Sequence, residues 1–471
     1  MVQTTKQRSK SVAAPAKQHT YQDVVAFLDQ KWAPSLKSTD ATKLLQLDKA
    51  LGSPSKKFKT ILVSGTNGKS LTINFTTQLL KSEGFNVGSF YAPHFVTYNE
   101  RIAYDNESIS NNAFAEITSE VITTATSLGL DLHAYELLAM SAFCYFAQKN
   151  VAVAILETPH LDTFDPALLC TPAISIITRL TNYDAQAPNQ PSQQAMDQIK
   201  PLIQKGTWVI AADQNKATLQ TIETMVEHAQ AHWAMPIRKL AMLAYPFEQL
   251  HGRCAALAER AVQLFVQEIT DQKSVVIGNS LLAKTNGQRG RPTLEAKRQA
   301  ELNPKKTIDQ YWQEATTTLS NRFDRLEKTK PAILLDNASN IDAFKNLLLG
   351  IRLLHYKQPL KGLIFIVGCD DNTLLHIDFY KMVRYFFKKT AGQMVFCPVT
   401  PDAQFQGTPW SVEQITNDIK HPKVKAKSLK SLTQALEHAQ KAVDEENGLI
   451  VITGSRTIIA EYWRITKGNK K

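Results

Sequence analysis

The chain has 471 residues and lacks the long apolar run that a membrane span needs; no stretch approaches eighteen consecutive apolar residues. Its opening, MVQTTKQRSK, has no apolar core, which excludes a secretory signal. Cysteine is scarce. The five present, Cys144, Cys170, Cys254, Cys369 and Cys397, form no CxxC pair. That argues against a disulfide framework and a zinc site, and a reducing, cytoplasmic compartment is expected. The net charge of +11 does not lie on a folded face. Residues 1–20 carry +4, residues 284–306 carry +5 and residues 464–471 carry +4, leaving −2 on the rest. Charge confined to tails and one insert reads as solvated surface, so neither nucleic acid nor a membrane is an expected partner. An organellar transit peptide is the alternative for the acid-free start, which has few large apolar residues to form an amphipathic face.

What is present is a strand–helix rhythm. Tyr21, Val24, Val25, Phe27 and Leu28 recur at helical spacing behind Thr20, and Leu44, Leu45, Leu47 and Leu51 predict a second short helix. The run TILVSG (60–65) predicts a buried strand, 72–83 a helix and 86–91 a strand. Helices follow at 110–128 and 134–149, then strands at 151–157 and 173–178. A helix is expected at 253–269. A second rhythm starts at 332–336 (strand) and continues with 341–354 (helix), 362–367 (strand), 374–388 (helix), 393–397 (strand), 429–445 (helix) and 448–452 (strand). The fold class expected is α/β: a P-loop-type, mostly parallel sheet ATPase domain followed by a smaller Rossmann-like α/β C-terminal domain. The divisions read as a basic tail at 1–19, an ATP-binding domain at 20–283, a basic insert and linker at 284–320, and a C-terminal domain at 321–471.

The sharpest local signal is Gly65-Thr66-Asn67-Gly68-Lys69-Ser70, set between a buried strand and a helix. Backbone N–H groups there can cradle phosphate oxygens, Lys69 can pair with the β- and γ-phosphates, and Ser70 can reach Mg²⁺. A strict Walker A loop would have glycine at Val63, and a glycine-rich turn with a solvated lysine is the bland alternative. Glu157 closes the apolar strand VAVAILE, where ligands of open α/β sheets bind. A carboxylate in that place needs a cation or donors, and Mg²⁺ beside a nucleotide would supply one. Asp184, beyond strand 173–178, is a second candidate oxygen ligand on the same edge, with an ordinary loop Asp as its alternative.

From these residues a resemblance emerges. GTNGKSLTINFTTQLLKSEGFNVGSFYAPHFVTYNERI (65–102) resembles the start of the folylpolyglutamate synthase branch of the Mur ligase family, whose loop reads GTNGKGS and whose next strand leads into T-S-P-H-x-x-x-x-N-E-R-I. Tyr135-Glu136, Asn321-Arg322-Phe323, Asp336-Asn337-Ala338-Ser339-Asn340 and Val451-Ile452-Thr453-Gly454-Ser455 are similar to further family elements. The resemblance implies an ATP- and Mg²⁺-dependent amide-bond ligase of folate and one-carbon metabolism. Such an enzyme makes an acyl phosphate on a folate-like carboxylate, and an amino acid, here expected to be glutamate, attacks it. It implies that Gly65 to Ser70 hold the phosphates, that Ser70, Glu157 and Asp184 hold the metal, and that Arg322 and Asp336 reach the nucleotide. It further implies that Lys200 stands where the family's carbamylated lysine stands; a plain surface lysine is its alternative. Lys69, Glu157 and Lys200 are then the expected catalytic groups, and a monomer is expected.

Departures accompany the likeness. The family's metal-binding Ser is Ala92, its glycine-rich run after the strand glutamate is Thr158 to Asp165, and its G-x-H-N run on the central helix reads Gly252-Arg253-Cys254-Ala255. The His of D-G-A-H-N is Ser339. They keep a second class of function open: a nucleotide-binding but catalytically degenerate protein with a regulatory or interaction role. Tyr91, His94 and Tyr98, with Phe95, are the expected aromatic faces for a flat acceptor ring, in a pocket between the 91–102 loop and helices at 20–51. Packing of that loop onto the domain is the alternative.

Overall fold

A computed structural model describes residues 20–32, 41–92, 94–159, 164–181, 192–270, 307–315, 319–326, 328–370, 374–404, 410–422 and 424–468. The basic tail, the whole of the 284–306 insert, and Asp184 lie outside the described residues.

The first sheet has eight strands: β1 Lys59–Ser64, β2 Val87–Phe90, β3 Ile102–Tyr104, β4 Glu107–Ser108, β5 Val153–Glu157, β6 Pro172–Ile177, β7 Trp208–Ala211 and β8 His232–Ala234. Their order is β4-β3-β2-β5-β1-β6-β7-β8. All pairings are parallel except those of β3, which runs antiparallel to β2 and to β4. β1 is central because its side chains are apolar on both faces. Leu62 enters one hydrophobic core, and Ile61 and Val63 enter the other, on opposite faces as the twofold period of a strand requires. β5 repeats this, with Ala154 and Leu156 on one side and Val153 and Ile155 on the other.

The second sheet is β9 Asp324–Leu326, β10 Ala332–Asp336, β11 Leu363–Val367, β12 Gln393–Phe396, β13 Lys425–Ser428 and β14 Leu449–Thr453, in the order β13-β12-β11-β14-β10-β9. Only β9 is antiparallel. β10 and β14 divide their apolar residues between two cores in the same way. The two sheets with helices on their faces match the expected α/β class.

Several elements have no counterpart in the sequence-based reading: β7, β8, and the helices Gln193–Ile199, Lys216–His228 and Arg456–Gly468. Part of the segment read as insert and linker is also structured. Ile308–Glu314 is a helix whose Ile308 and Trp312 are buried in a first-domain core, with the Trp312 indole N–H donating to Glu259. Burial of that indole, with a capping box between Thr307 and Gln310, holds seven residues in a helix.

Candidate active site

Strand β1 delivers the chain to Gly65 at the carboxyl edge of the first sheet. Gly65 has φ +129°, and a Cβ there would lie 2.2 Å from the Thr178 hydroxyl on the neighbouring strand's exit. Gly68, at φ +93°, caps the helix Lys69–Ser82. The N–H groups of Thr66 and Asn67 donate to the Arg179 carbonyl at 2.8 and 3.1 Å, which fixes the loop. The orphan N–H groups of the first helical turn are the remaining donors for an anion.

Lys69 folds back over this loop. Its ammonium donates to the Gly65 carbonyl at 2.7 Å and lies 3.9 Å from the Glu157 carboxylate. Burial lowers its pKa, partly offset by Glu157. Glu157 ends β5, paired in register with Val63 of β1, so the strand pairing itself brings it beside the loop. It is 2% exposed. The Ser70 hydroxyl donates to it at 3.3 Å and the Ala92 N–H at 3.2 Å. One hydroxyl, one N–H and a distant ammonium are modest compensation for a buried carboxylate. Ser70 and Glu157 together thus offer two hard oxygen donors of the kind Mg²⁺ takes.

The second domain completes the cleft. Asp336, at the end of β10, accepts from the Phe323 N–H at 2.8 Å, and burial pushes its carboxyl up to about 6. Arg322, whose pKa burial lowers, lines a cavity of about 250 Å³ together with Asp336, Asn67, Gly68 and Arg179. The two domains are tied at this point. The side-chain amides of Asn67 and Asn340 exchange bonds at 3.0 and 2.9 Å, and Asp342 accepts from Asn67 at 3.0 Å and from Arg179 at 2.9 Å. A neighbouring cavity of about 460 Å³ is lined by Ser70, Asn74, Tyr91, Glu100, Trp463 and again Arg322, so Arg322 faces both.

The structure therefore brings Gly65 to Ser70, Glu157, Arg322 and Asp336 to one cleft. Lys200 does not join them. It is exposed where the helix Gln193–Ile199 ends, and the nearby cavity is lined by its neighbours Pro201 and Leu202 instead. Among the described residues no group of three or more His, Cys, Asp or Glu could hold a metal ion.

Of the aromatics expected around an acceptor ring, Tyr98 and His94 have their polar tips bonded within the protein. The Tyr98 hydroxyl donates to Asp29 at 2.6 Å and accepts from the Trp32 indole at 2.7 Å, so it seals the loop against the N-terminal helix. His94 is buried, accepting from Arg101 at 2.9 Å and meeting Gln404 at 2.7 Å. Burial, with Arg101 and Arg456 nearby, holds its pKa well below the usual histidine value. Apolar faces and satisfied polar tips make these two part of the packing. Tyr91 lines the cavity shared with Ser70, and so does Phe95.

A third cavity, of about 780 Å³, lies directly beyond Glu157 and was not foreseen. Thr158, Phe164, Asp165, Leu168 and Gln198 are among its walls. Asp165 is buried and burial pushes its carboxyl up to about 7; one oxygen accepts from the Ala167 N–H at 2.9 Å and the other has no hydrogen-bond partner among the described residues. The Tyr135 hydroxyl reaches both the Glu157 carbonyl (3.3 Å) and Asp165 (3.5 Å).

Comparison with known proteins places this geometry. No family model matches the chain. A dihydrofolate synthase/folylpolyglutamate synthase of Bacillus subtilis is 27% identical over 225 residues, 47% of this chain and 49% of that protein. A folylpolyglutamate synthase of Lacticaseibacillus casei is 28% identical over 165 residues, 34% of this chain and 38% of that protein. The matched sequence thus spans about half or less of these relatives. Solved structures match across nearly the whole chain. A Mycobacterium tuberculosis folylpolyglutamate synthase complexed with ADP has a TM-score of 0.70 at 16% identity, covering 94% of this chain and 98% of that one. A bifunctional folylpolyglutamate synthase/dihydrofolate synthase from Yersinia pestis complexed with AMPPNP and Mn ion has a TM-score of 0.68 at 15% identity, covering 97% and 100%. The shared fold is that of the folylpolyglutamate synthases, two α/β domains with the cleft between them.

Proposed function

We infer that this chain, a relative of the folylpolyglutamate synthases in sequence and fold, is an ATP-dependent ligase that joins an amino acid, glutamate, to a folate-like carboxylate. The observation that carries the reading is the cleft itself: a phosphate loop and the Ser70–Glu157 pair from one domain, faced by Arg322 and Asp336 from the other. ATP fits its phosphates to the helix N-terminus and Lys69. Mg²⁺ held by Ser70 and Glu157 would neutralise charge on the transferring phosphoryl group. The acceptor carboxylate attacks the γ-phosphorus and ADP leaves. The amine then attacks the acyl carbon, loses a proton, and expels phosphate.

The cavity beyond Glu157 takes the acceptor's ring. There Asp165, neutral below about pH 7, can both donate to and accept from a heterocycle edge. Arg322, lining the nucleotide cavity and the cavity beside Ser70, is placed to stabilise the charge that moves between them. Closure of the two domains keeps water from the acyl phosphate.

One observation favours a second reading, nucleotide binding without ligation. Ala92 contributes only its N–H where the resembled family contributes a hydroxyl, and Lys200 is exposed. ADP release from purified protein separates the two. Ligation requires that release depend on both a folate-like acceptor and glutamate. Release that ignores both, with ATP bound, sinks the ligase reading.

A further inference from the structure

A fourth cavity, of about 520 Å³, opens between the two domains. Tyr245 and Phe247, from the first domain, form one side; Phe323, Arg325, Leu354 and Lys357, from the second, form the other. Its volume is that of a small-molecule site. Tyr245 spans the gap, since its hydroxyl donates to the Leu353 carbonyl and the Lys357 ammonium lies 5.1 Å from the centre of its ring. Phe247 and Phe323 meet edge to face, centroids 6.3 Å apart and planes at 88°. Phe323 also lines the nucleotide cavity, and its N–H is the one that holds Asp336. Its ring has little room to shift: a Cβ on Gly350 would lie 2.4 Å from it.

The charge on the walls has one sign. Arg325 and Lys357 line the cavity and no acidic residue does. Both cations are exposed, and among the described residues neither is held in an ion pair. An arginine fork and an ammonium beside aromatic walls suit one kind of ligand: a carboxylate on a flat, apolar body. The planar fork can take both carboxylate oxygens, and the rings can take the body. Such a ligand would touch both domains. It would therefore favour the arrangement in which the domains face each other, and the nucleotide cavity is built from that same arrangement. Two ligands that favour one arrangement strengthen each other's binding.

We propose that this cavity is a second ligand site, for a small aromatic carboxylate, and that filling it clasps the two domains and tightens nucleotide binding. Only the last clause rests on the cleft being the nucleotide site. The test is calorimetric titration of the full chain with 2-naphthoate and with 2-naphthamide, which has the same body and no charge. The naphthoate should bind, and the amide about tenfold or more weaker. Arg325→Gln combined with Lys357→Gln should weaken the naphthoate by about tenfold or more. Both side chains are exposed, so the double variant should keep the wild-type affinity for ATP when no naphthoate is present. Saturating naphthoate should tighten ATP about fivefold or more in the wild type, and the double variant should lose that gain. Failure of the naphthoate to bind would overturn the proposal. So would equal binding of the amide, since the cations would then go unused. Undiminished naphthoate binding in the double variant would place the probe in another cavity, which also overturns it. An ATP affinity that ignores the naphthoate would overturn the clasp. A wild type that does not bind ATP at all would sink the nucleotide reading, while the naphthoate titrations would still decide this site.

Discussion

The guanidinium of Arg322, carried by the second domain, sits 5.0 Å from the centre of the Phe95 ring of the first. Phe95 is held there by Glu100, whose carboxylate accepts the N–H groups of Phe95 at 2.8 Å and of Val96 and Thr97 at 2.9 Å each. One carboxylate thus fastens a three-residue loop and presents a ring to the arginine that lines both cavities. A cation–π contact in such a partly desolvated place is worth about 0.5–2 kcal/mol. Phe95→Ala should therefore slow glutamate-dependent ADP release by roughly 2- to 30-fold, with Phe95→Tyr close to wild type. Steady-state kinetics on both variants checks this; an unchanged rate for Phe95→Ala means Arg322 needs no such support.

Lys69 is the one full positive charge on the phosphate loop. Lys69→Ala should weaken ATP at least tenfold, about 1.4 kcal/mol, by calorimetric titration. Equal affinity would move the phosphates away from residues 65–70.

Ser70 and Glu157 are the candidate metal pair, and their role shows in a difference. Glu157→Gln keeps the shape and removes the charge. The wild type should bind ATP more tightly with Mg²⁺ than without, and the variant should lose most of that gain. A variant with the full Mg²⁺ enhancement would place the metal elsewhere.

Asp165 links the acceptor cavity to pH. Its carboxyl is raised from the usual range to about 7, by burial first. The native chain therefore holds this proton more tightly than the unfolded chain does. The resulting stability is complete below about pH 4 and is lost as pH rises through about 7. Asp336, raised to about 6, acts in the same direction. Buried His94 and His251, held below the usual histidine value, act in the opposite direction, so the readout is a difference: between pH 5 and pH 8 the melting temperature of Asp165→Asn should fall less, or rise more, than that of the wild type. Thermal melts across this range decide it: an unaltered slope in the variant contradicts a buried, proton-holding Asp165.

The sequence made some of this legible and hid the rest for physical reasons. β1 and the loop after it could be read because eleven consecutive residues, 60–70, carry the whole signal, from an apolar run to the two glycines of the turn. Glu157 stood out because an acid ending an apolar strand has few bland explanations. Arg322 and Asp336 were reachable only through resemblance, since nothing in Asn321-Arg322-Phe323 by itself says which surface it faces. His94 and Tyr98 have the composition of a ring-binding site, yet their tips are satisfied within the protein by Arg101, Gln404, Asp29 and Trp32. Which way an aromatic faces depends on contacts from residues as far away as Gln404. Asp165 was missed for the converse reason. It matters because one of its buried oxygens lacks a hydrogen-bond partner among the described residues, a property of the assembled fold.

The measurement that bears most directly on the account is mass spectrometry of the acceptor after incubation with the protein, MgATP and glutamate. Dihydropteroate and tetrahydrofolate are the two acceptors to supply. The account predicts that at least one gains a glutamyl residue, with ADP formed in equal amount, and that Glu157→Gln abolishes the gain. Unmodified acceptors beside a protein that binds ATP normally would contradict it, leaving a nucleotide-binding protein on a ligase fold.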